Sequence, residues 1–237
     1  MTVTNDPVVE QEMQDRPRPF GKLWVFLRYA FVASIIGDIL LAVSNAYAFS
    51  WIKAVNDGAV YSMSEAEFID LHQAILGGLY VIIYFACIVA YCRFYYRAMN
   101  NLKIVEAADL HISPFWTIGY FFVPFLSLWK PLVAVREIWR GSHDPANANV
   151  TVPAIIGWWW GFWLLGSLLD KVSWQMLLSS GALGEEMTNV ERYLDSLMID
   201  IGSALIAIIG AILVLRFSAQ IKRAQEANIL SSSVSPD

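Results

Sequence analysis

Residues 74–91 read AILGGLYVIIYFACIVAY, a run of 18 residues without a charged side chain, and Arg93 and Arg97 come soon after it. A helix needs about 20 mainly apolar residues to cross a hydrocarbon core about 30 Å thick. Lipid offers no hydrogen-bond partner to an unpaired backbone amide, so a helix is the expected spanning form. The run therefore predicts a transmembrane helix at about residues 74–94.

Three other segments have the same character, at about residues 23–49, 152–170 and 197–217. Strands of a membrane barrel have about 10 residues of alternating polarity, which none of these segments resembles. We therefore expect an all-α fold, a polytopic membrane protein with a four-helix transmembrane bundle. The expected domain limits are a disordered cytoplasmic tail at 1–22, one transmembrane domain at 23–223 and a cytoplasmic tail at 224–237.

The composition of the 237-residue chain agrees with a lipid environment. Apolar residues make up 57% of the chain and charged residues 16%, and the mean hydropathy is +0.50. Soluble domains carry about 25% charged residues. A net charge of −5 without a basic cluster excludes a nucleic-acid binder, and two cysteines exclude a disulfide-stapled secreted domain. The lipid bilayer is the expected partner, and no nucleic acid is expected.

The basic residues predict the orientation of the chain. Thirteen of the 16 Lys and Arg residues lie near the N terminus, between the second and third spans, or in the C-terminal tail. Cytoplasmic segments hold the excess of Lys and Arg. The two other loops are acidic, with Asp57, Glu65, Glu67 and Asp70 in one and Glu185, Glu186, Glu191 and Asp195 in the other. We therefore expect a multi-pass protein of the cell membrane with both termini in the cytoplasm.

Residues 114–140 are harder to interpret, because 114–135 are hydrophobic enough for a fifth span. Pro124 and Pro131 interrupt the backbone hydrogen bonds of a helix, since each removes a donor. A fifth crossing would also carry the basic C-terminal residues to the outside, against the charge rule. We therefore expect a re-entrant or interfacial helical element on the cytoplasmic side, with a fifth span as the alternative.

Asp38 is the most informative residue, because it lies well inside the first apolar segment. A charged Asp at a helix centre costs about 2.5–3.5 kcal/mol on insertion scales, and such residues face a bundle interior or water. Ser34 and Asn45 share its helical face, and Asp200 lies one turn inside the fourth span. These four residues are the candidate intramembrane polar site, in which the two carboxylates could bind a proton or cation. The alternative is that Asp38 only forms a hydrogen bond to a neighbouring helix.

Local patterns predict helix starts and a packing face. Ser64-x-x-Glu67 and Thr188-x-x-Glu191 have the form of capping boxes. Gly157-x-x-x-Gly161 is typical of close helix packing, which we expect inside the bundle, with a dimer contact as the alternative. The sequence has no Gly-rich phosphate loop, nucleophile elbow or zinc motif. We therefore expect no catalytic residue, cofactor or metal.

The most distinctive segment reads SPFWTIGYFFVPFLSLWKPLVAVREIWRGSHDP at residues 113–145 and continues as GWWWGFW at 157–163. It resembles the bacterial membrane protein family described as domain of unknown function 4328, over about residues 70–215. The resemblance implies a multi-helix membrane protein and brings no established activity. Glu137 and Arg140, three residues apart on one helix, can pair, and with Arg136 they could form a charge cluster. The residues that carry the motif are Pro124, Trp129, Pro131, Glu137, Trp139, Arg140, Trp158 and Trp159.

Three functions are compatible with these features. The first is a structural or partner-binding membrane protein of unknown biochemical activity, as a homo-oligomer or with a membrane-protein partner. The second is a small transporter or channel that uses Asp38 and Asp200. The third is a membrane enzyme that acts on a lipid or quinone, with Glu137 and Arg140 at the headgroup. The position of Asp38, against other helices or against lipid, discriminates between the first two.

Overall fold

The computed structural model describes residues 16–183 and 188–231. This part of the chain contains helices and no strand, which confirms the all-α fold. The α-helices are α1 (Gly21–Asn56), α2 (Met63–Ile104), α3 (Pro114–Gly119), α4 (Lys130–His143), α5 (Ala154–Ser180) and α6 (Val190–Gln225). Two 3₁₀ turns, Tyr120–Phe122 and Leu126–Leu128, lie between α3 and α4, and a π-helical turn, Glu226–Leu230, follows α6.

Three of these helices are long and apolar enough to cross a membrane. The most apolar 18-residue windows have mean hydropathies of 1.9 in α1, 2.3 in α2 and 2.5 in α6 with its π-helical turn. These helices contain the expected spans at 23–49, 74–94 and 197–217, and they indicate a membrane protein. The expected span at 152–170 lies in α5, which has 27 residues but falls outside this set of three. Five of its residues are Trp, whose indole N–H makes the ring less apolar than an aliphatic side chain.

The segment at 114–143 contains two short helices and no helix of spanning length. Ser113 caps α3, and its Oγ accepts a hydrogen bond of 3.4 Å from the Trp116 amide. Phe125, which follows Pro124, has a left-handed φ of 64°, which separates the two 3₁₀ turns. Pro131 lies in the first turn of α4, where its missing N–H has no intrahelical partner to lose. The two prolines therefore end one helical segment and begin the next.

Two compact units make up the described chain, where one transmembrane domain was expected at 23–223. Unit 1 contains residues 16–28, 89–157 and 215–231, and unit 2 contains residues 29–88, 158–183 and 188–214. Helices α1, α2, α5 and α6 contribute residues to both units.

A dense aromatic and aliphatic core fills unit 1. Tyr95 is fully buried, and its hydroxyl lies 2.6 Å from the Ser218 hydroxyl on α6. Phe20 is also buried and packs on Phe94 with 4.7 Å between ring centroids. Ile229, in the π-helical turn, is buried as well. The folded part therefore extends into residues assigned to the tails at 1–22 and 224–237, while the expectations for 1–15 and 232–237 fall outside the described residues.

A buried amide network ties three segments of unit 1 together. Asn101 and Gln225 are both 0% exposed. The Asn101 side chain donates to the Arg18 carbonyl and accepts from the Arg18 amide, both at 2.9 Å. It also donates to Gln225 Oε1 at 3.0 Å, and Gln225 Nε2 donates to the Ala98 carbonyl at 2.9 Å and Ser142 Oγ at 3.0 Å. Every polar atom of the two amide side chains therefore has a partner, as buried amides require.

Unit 2 presents apolar side chains on its outer surface. Its core includes a cluster of Ala48, Ile69 and Leu197. Large apolar side chains are exposed on all four of its helices, among them Ile36, Val43, Leu79, Ile82, Leu168, Leu178, Leu205 and Ile209. An exposed apolar surface of this extent on a helical unit is typical of contact with lipid.

The helix starts differ from the predicted capping boxes by short shifts. At α2 the box is formed by Ser62 and Glu65, since the Glu65 amide donates to Ser62 Oγ at 3.3 Å and the Ser62 amide to Glu65 Oε2 at 3.1 Å. At α6, Asn189 Oδ1 accepts from the Arg192 amide at 3.0 Å. The Thr188 hydroxyl instead donates to the Ser180 carbonyl at 3.2 Å. The predicted capping boxes at Ser64 and Thr188 were therefore wrong, because α2 is capped two residues earlier and α6 one residue later.

Candidate functional site

The carboxylate of Asp38 is buried within unit 2, with 4% of the residue exposed. The Tyr80 hydroxyl on α2 donates to Asp38 Oδ1 at 2.6 Å. Gly37 allows this approach, because a Cβ there would lie 3.0 Å from Tyr80 Cδ2. Asp38 therefore faces another helix of its unit.

A second group of polar side chains connects α5 and α6 in the same unit. The Ser203 hydroxyl on α6 donates to Asp170 Oδ1 on α5. Asp200, one turn before Ser203, is half-buried, and Ser173 lies near it on α5. The Ser173 hydroxyl also donates to the Ser196 carbonyl at 3.1 Å. Each of the two carboxylates on this face thus has a serine on the opposite helix.

These two groups contain three carboxylates of unit 2, one each on α1, α5 and α6. The charge of Asp170 makes only the smallest of the contributions to the environments of Asp38 and Asp200. None of the three carboxylates forms an ion pair with a residue that the structure describes. Asp170 is exposed at the surface of unit 2, whereas Asp38 is enclosed. We call Asp38, Asp170 and Asp200 the acidic cluster.

The acidic cluster includes some of the predicted site residues and not others. Asp38 and Asp200 both belong to it, and no hydrogen bond among the described residues joins the two. The Ser34 hydroxyl donates to the Phe31 carbonyl of its own helix at 2.9 Å. Asn45 is half-buried and has no hydrogen bond to another described residue, while its neighbour Ser44 is buried, with its hydroxyl 3.3 Å from His72 Nδ1. The predicted polar stripe on α1 is therefore not a continuous site.

Asp170 was not among the predicted site residues, because adjacent charged residues such as Asp170 and Lys171 commonly mark the end of a membrane span. Helix α5 continues to Ser180, so Asp170 lies within the helix. Tyr80 was missed as well, since a tyrosine in an uncharged run carries no local sign of a buried partner. The available signal was the i,i+3 spacing of Asp170 with Ser173 and of Asp200 with Ser203, which puts each pair on one helix face.

A proton suits this acidic cluster better than a metal ion does. Among residues 16–183 and 188–231, no group of three His, Cys, Asp or Glu side chains converges closely enough to hold a metal. Carboxylates in apolar surroundings without a paired cation lose hydration and repel one another, and a bound proton relieves both effects. Proton binding is therefore one reaction that these carboxylates are chemically suited to.

One family model, described as Domain of unknown function (DUF4328), matches the chain over residues 57–223. The chain belongs to this family. The region that matches the DUF4328 model contains Tyr80, Asp170 and Asp200, while Asp38 precedes it. No curated protein matches the chain. No solved structure matches it either.

In this DUF4328 protein, Glu137 of the motif binds the backbone of a loop in unit 1. Glu137 Oε2 accepts hydrogen bonds from the amides of His111, at 3.2 Å, and Ile112, at 3.1 Å. Its other oxygen lies 3.8 Å from His111 Nδ1. Arg140 is exposed and forms no ion pair with a described residue. The pair that their spacing allows does not form among the described residues, because the loop amides are the partners of this carboxylate.

The tryptophans and prolines of the motif have structural positions. Trp139 is buried, and its Nε1 donates to the Thr151 carbonyl at 3.1 Å. Trp159 is buried as well, whereas Trp129 and Trp158 are exposed. Pro124 and Pro131 mark the limits of the irregular segment described above. These residues shape the loops of unit 1 and the first turns of α5.

Proposed function

We propose that this DUF4328 protein crosses the cell membrane four times, through α1, α2, α5 and α6, with both termini in the cytoplasm. At about 1.5 Å per residue, the 27 residues of α5 are long enough for a span. The described part of unit 1 has 13 basic and 5 acidic residues, and that of unit 2 has 3 basic and 9 acidic residues. Since Lys and Arg collect on the cytoplasmic side, this division supports a cytoplasmic position for the basic segments of unit 1.

The segment at 114–140 is proposed to be a re-entrant or interfacial element at the cytoplasmic face. Most of its exposed side chains are aromatic, namely Phe115, Trp116, Phe122, Phe125 and Trp129. Aromatic rings of this kind collect at the boundary between lipid and water. The two short helices leave irregular backbone between them, which is tolerated in a membrane only where protein or water covers it. An interfacial position meets this requirement.

For the activity, we propose that the protein moves protons across the membrane through the acidic cluster. The observation that carries this proposal is the burial of Asp38 against Tyr80 on the neighbouring helix. Intramembrane carboxylates that face the bundle interior are typical of proton pathways. Asp38 meets that condition, because it faces α2 within unit 2 rather than lipid.

The chain's own residues suggest how the proton would be held. Tyr80 and Ser203 each donate to one carboxylate, and so they orient Asp38 and Asp170. A proton that enters at exposed Asp170 removes one negative charge from the cluster. Its transfer to Asp38 or Asp200 restores the charge of Asp170, and the repulsion between the carboxylates changes with each transfer. The proton thus moves between carboxyl groups and no covalent intermediate is needed.

Proteoliposomes with an enclosed pH-sensitive dye test this proposal. A potassium diffusion potential imposed with valinomycin drives protons inward, and the dye reports the rate. We expect Asp38→Asn and Asp170→Asn to lower the rate at least tenfold, because each removes one proton acceptor. Asp195→Asn is the matched control, since Asp195 is an exposed carboxylate of α6 outside the cluster. Equal rates in the wild type, the cluster variants and empty liposomes would overturn the proposal.

A second candidate function is the structural or partner-binding role, in which α5 contacts another helix. A Cβ built at Gly157 or Gly161 would meet no heavy atom within 4 Å beyond its immediate helical surroundings. The small-residue face is therefore open for a second copy or a partner helix, instead of being used inside the chain. The mass of the protein in detergent, measured for the wild type and for Gly161→Leu, tests this role. A monomeric wild type contradicts it for self-association.

A further inference from the structure

Unit 1 contains a cavity of about 490 Å³ beside α4, separate in sequence and composition from the acidic cluster. Cavities of about 300–1,000 Å³ are the size of small-molecule sites. Charged and polar residues from α4 and two loops line it, namely Asp109, His111, Arg136, Glu137, Arg140 and Asn149. We call this cavity the arginine pocket.

Two guanidinium groups in the arginine pocket have no partner within residues 16–183 and 188–231. Arg136 and Arg140 are four residues apart on α4, so they lie on the same helix face. Neither side chain forms a hydrogen bond or ion pair with another residue of the described chain. The adjacent carboxylate of Glu137 is occupied, because it accepts the amides of His111 and Ile112. The positive charge of the two arginines is therefore available to a ligand.

Phosphate groups match this arrangement. A guanidinium presents its donors in a planar fork that binds two oxygens of a phosphate at once. Two such forks side by side complement one phosphate with its several oxygens. The volume of the arginine pocket exceeds what one phosphate fills, and the exposed Asp109 and Asn149 line the same space. A carboxylate would repel a second phosphate there but accept hydrogen bonds from hydroxyl groups.

We infer that the arginine pocket binds the phosphate ester of a small polyol, such as a glycerol phosphate. Arg136 and Arg140 hold the phosphate. Asp109 accepts hydrogen bonds from the hydroxyl groups, and the Asn149 amide either donates to them or accepts from them. Such a group occurs as the headgroup of a phospholipid and as a soluble phosphorylated polyol. The two sources share the same chemistry, so the experiment has one arm for each.

The soluble arm measures the unfolding temperature of the detergent-purified protein with increasing glycerol 3-phosphate. The lipid arm measures the number of lipids retained, by native mass spectrometry, after exposure to phosphatidylglycerol or phosphatidylcholine. The test variant is Arg136→Gln with Arg140→Gln. The matched control is Arg216→Gln with Arg223→Gln, which removes the same charge from exposed positions of the same unit.

We expect the test variant to bind at least tenfold more weakly than the wild type in one of the two arms, while the control variant binds normally. Loss of binding in the soluble arm identifies a soluble polyol phosphate. Loss of bound phosphatidylglycerol alone, with phosphatidylcholine unchanged, identifies the lipid headgroup. If the double variant does not fold, Ala148→Phe fills the arginine pocket while both guanidinium groups stay. Binding that is absent in the wild type, or that the control loses equally, overturns the inference.

Discussion

The hydroxyl of Tyr80 donates a hydrogen bond of 2.6 Å to Oδ1 of Asp38, and this bond connects α2 to α1. Asp38 is almost completely buried, so the hydroxyl replaces water as a partner of this carboxylate. A buried acceptor that loses its donor costs more free energy than the hydrogen bond contributes when it is present. The bond is therefore a sensitive point for stability as well as for the proposed proton pathway.

The first prediction concerns this bond. Tyr80→Phe removes only the hydroxyl, and we expect it to lower the free energy of unfolding by about 1–3 kcal/mol, the cost of an unsatisfied buried acceptor. The control is Tyr84→Phe, one turn further along α2, where the side chain is exposed. Denaturation in mixed micelles, followed by circular dichroism, measures both variants. Equal stability of the two variants would mean that Asp38 does not depend on Tyr80.

The second prediction concerns the close approach of Gly37 to the Tyr80 ring. A Cβ at Gly37 would lie 3.0 Å from Tyr80 Cδ2, whereas a Cβ at Gly77 meets no heavy atom within 4 Å beyond its immediate helical surroundings. Gly→Ala in a helix interior raises the free energy of unfolding by about 0.5–1 kcal/mol, because alanine loses less backbone entropy on folding. We expect Gly77→Ala to show this increase. Gly37→Ala should not show it, because the hydrogen bond to Asp38 holds the Tyr80 ring against the added Cβ. The same denaturation measurement compares them, and a matching gain at both positions contradicts the close contact.

The positions of the apolar helices could be predicted from the sequence, because they depend on local composition. Three of the expected spans lie within helices that are apolar enough to cross a membrane. Asp38 stood out because a carboxylate in an apolar run has a large desolvation cost wherever it lies. Asp170 did not stand out, because an aspartate that is followed by a lysine, here Lys171, resembles the polar end of a span. Helix α5 continues for ten residues beyond Asp170, to Ser180.

The partners of polar side chains could not be predicted, because they depend on contacts distant in the sequence. Tyr80 lies 42 residues from Asp38, and Asn101 lies 124 residues from Gln225. The N-terminal cap of α2 could not be assigned from the sequence pattern either, since Ser62-x-x-Glu65 and Ser64-x-x-Glu67 have the same pattern. Only the position at which the helix begins distinguishes them, and the structure uses the earlier pair.

The third prediction concerns the amide network of unit 1. Asn101→Ala removes the partner of both backbone groups of Arg18 and of the Gln225 Oε1 atom. We expect the free energy of unfolding to fall by about 2–4 kcal/mol, the cost of one or two unsatisfied buried groups. Hydrogen exchange followed by mass spectrometry should show faster exchange at the Arg18 amide. The control is Asn100→Ala, because Asn100 is a half-buried neighbour without a described hydrogen bond. Unchanged exchange at Arg18 contradicts the role of the network.

The fourth prediction distinguishes two interpretations of the motif residues Glu137 and Arg140. Glu137→Ala removes the acceptor of the His111 and Ile112 amides, and Ile112 is buried. We expect a loss of about 2–3 kcal/mol, because each amide that stays buried without an acceptor is costly. Arg140→Ala, in phosphate-free buffer, should change stability by less than about 0.5 kcal/mol, as for an exposed side chain without a partner. Denaturation of both variants and exchange at the Ile112 amide measure the difference. An ion pair between Glu137 and Arg140 would instead make the two losses similar and leave the Ile112 amide protected in both variants.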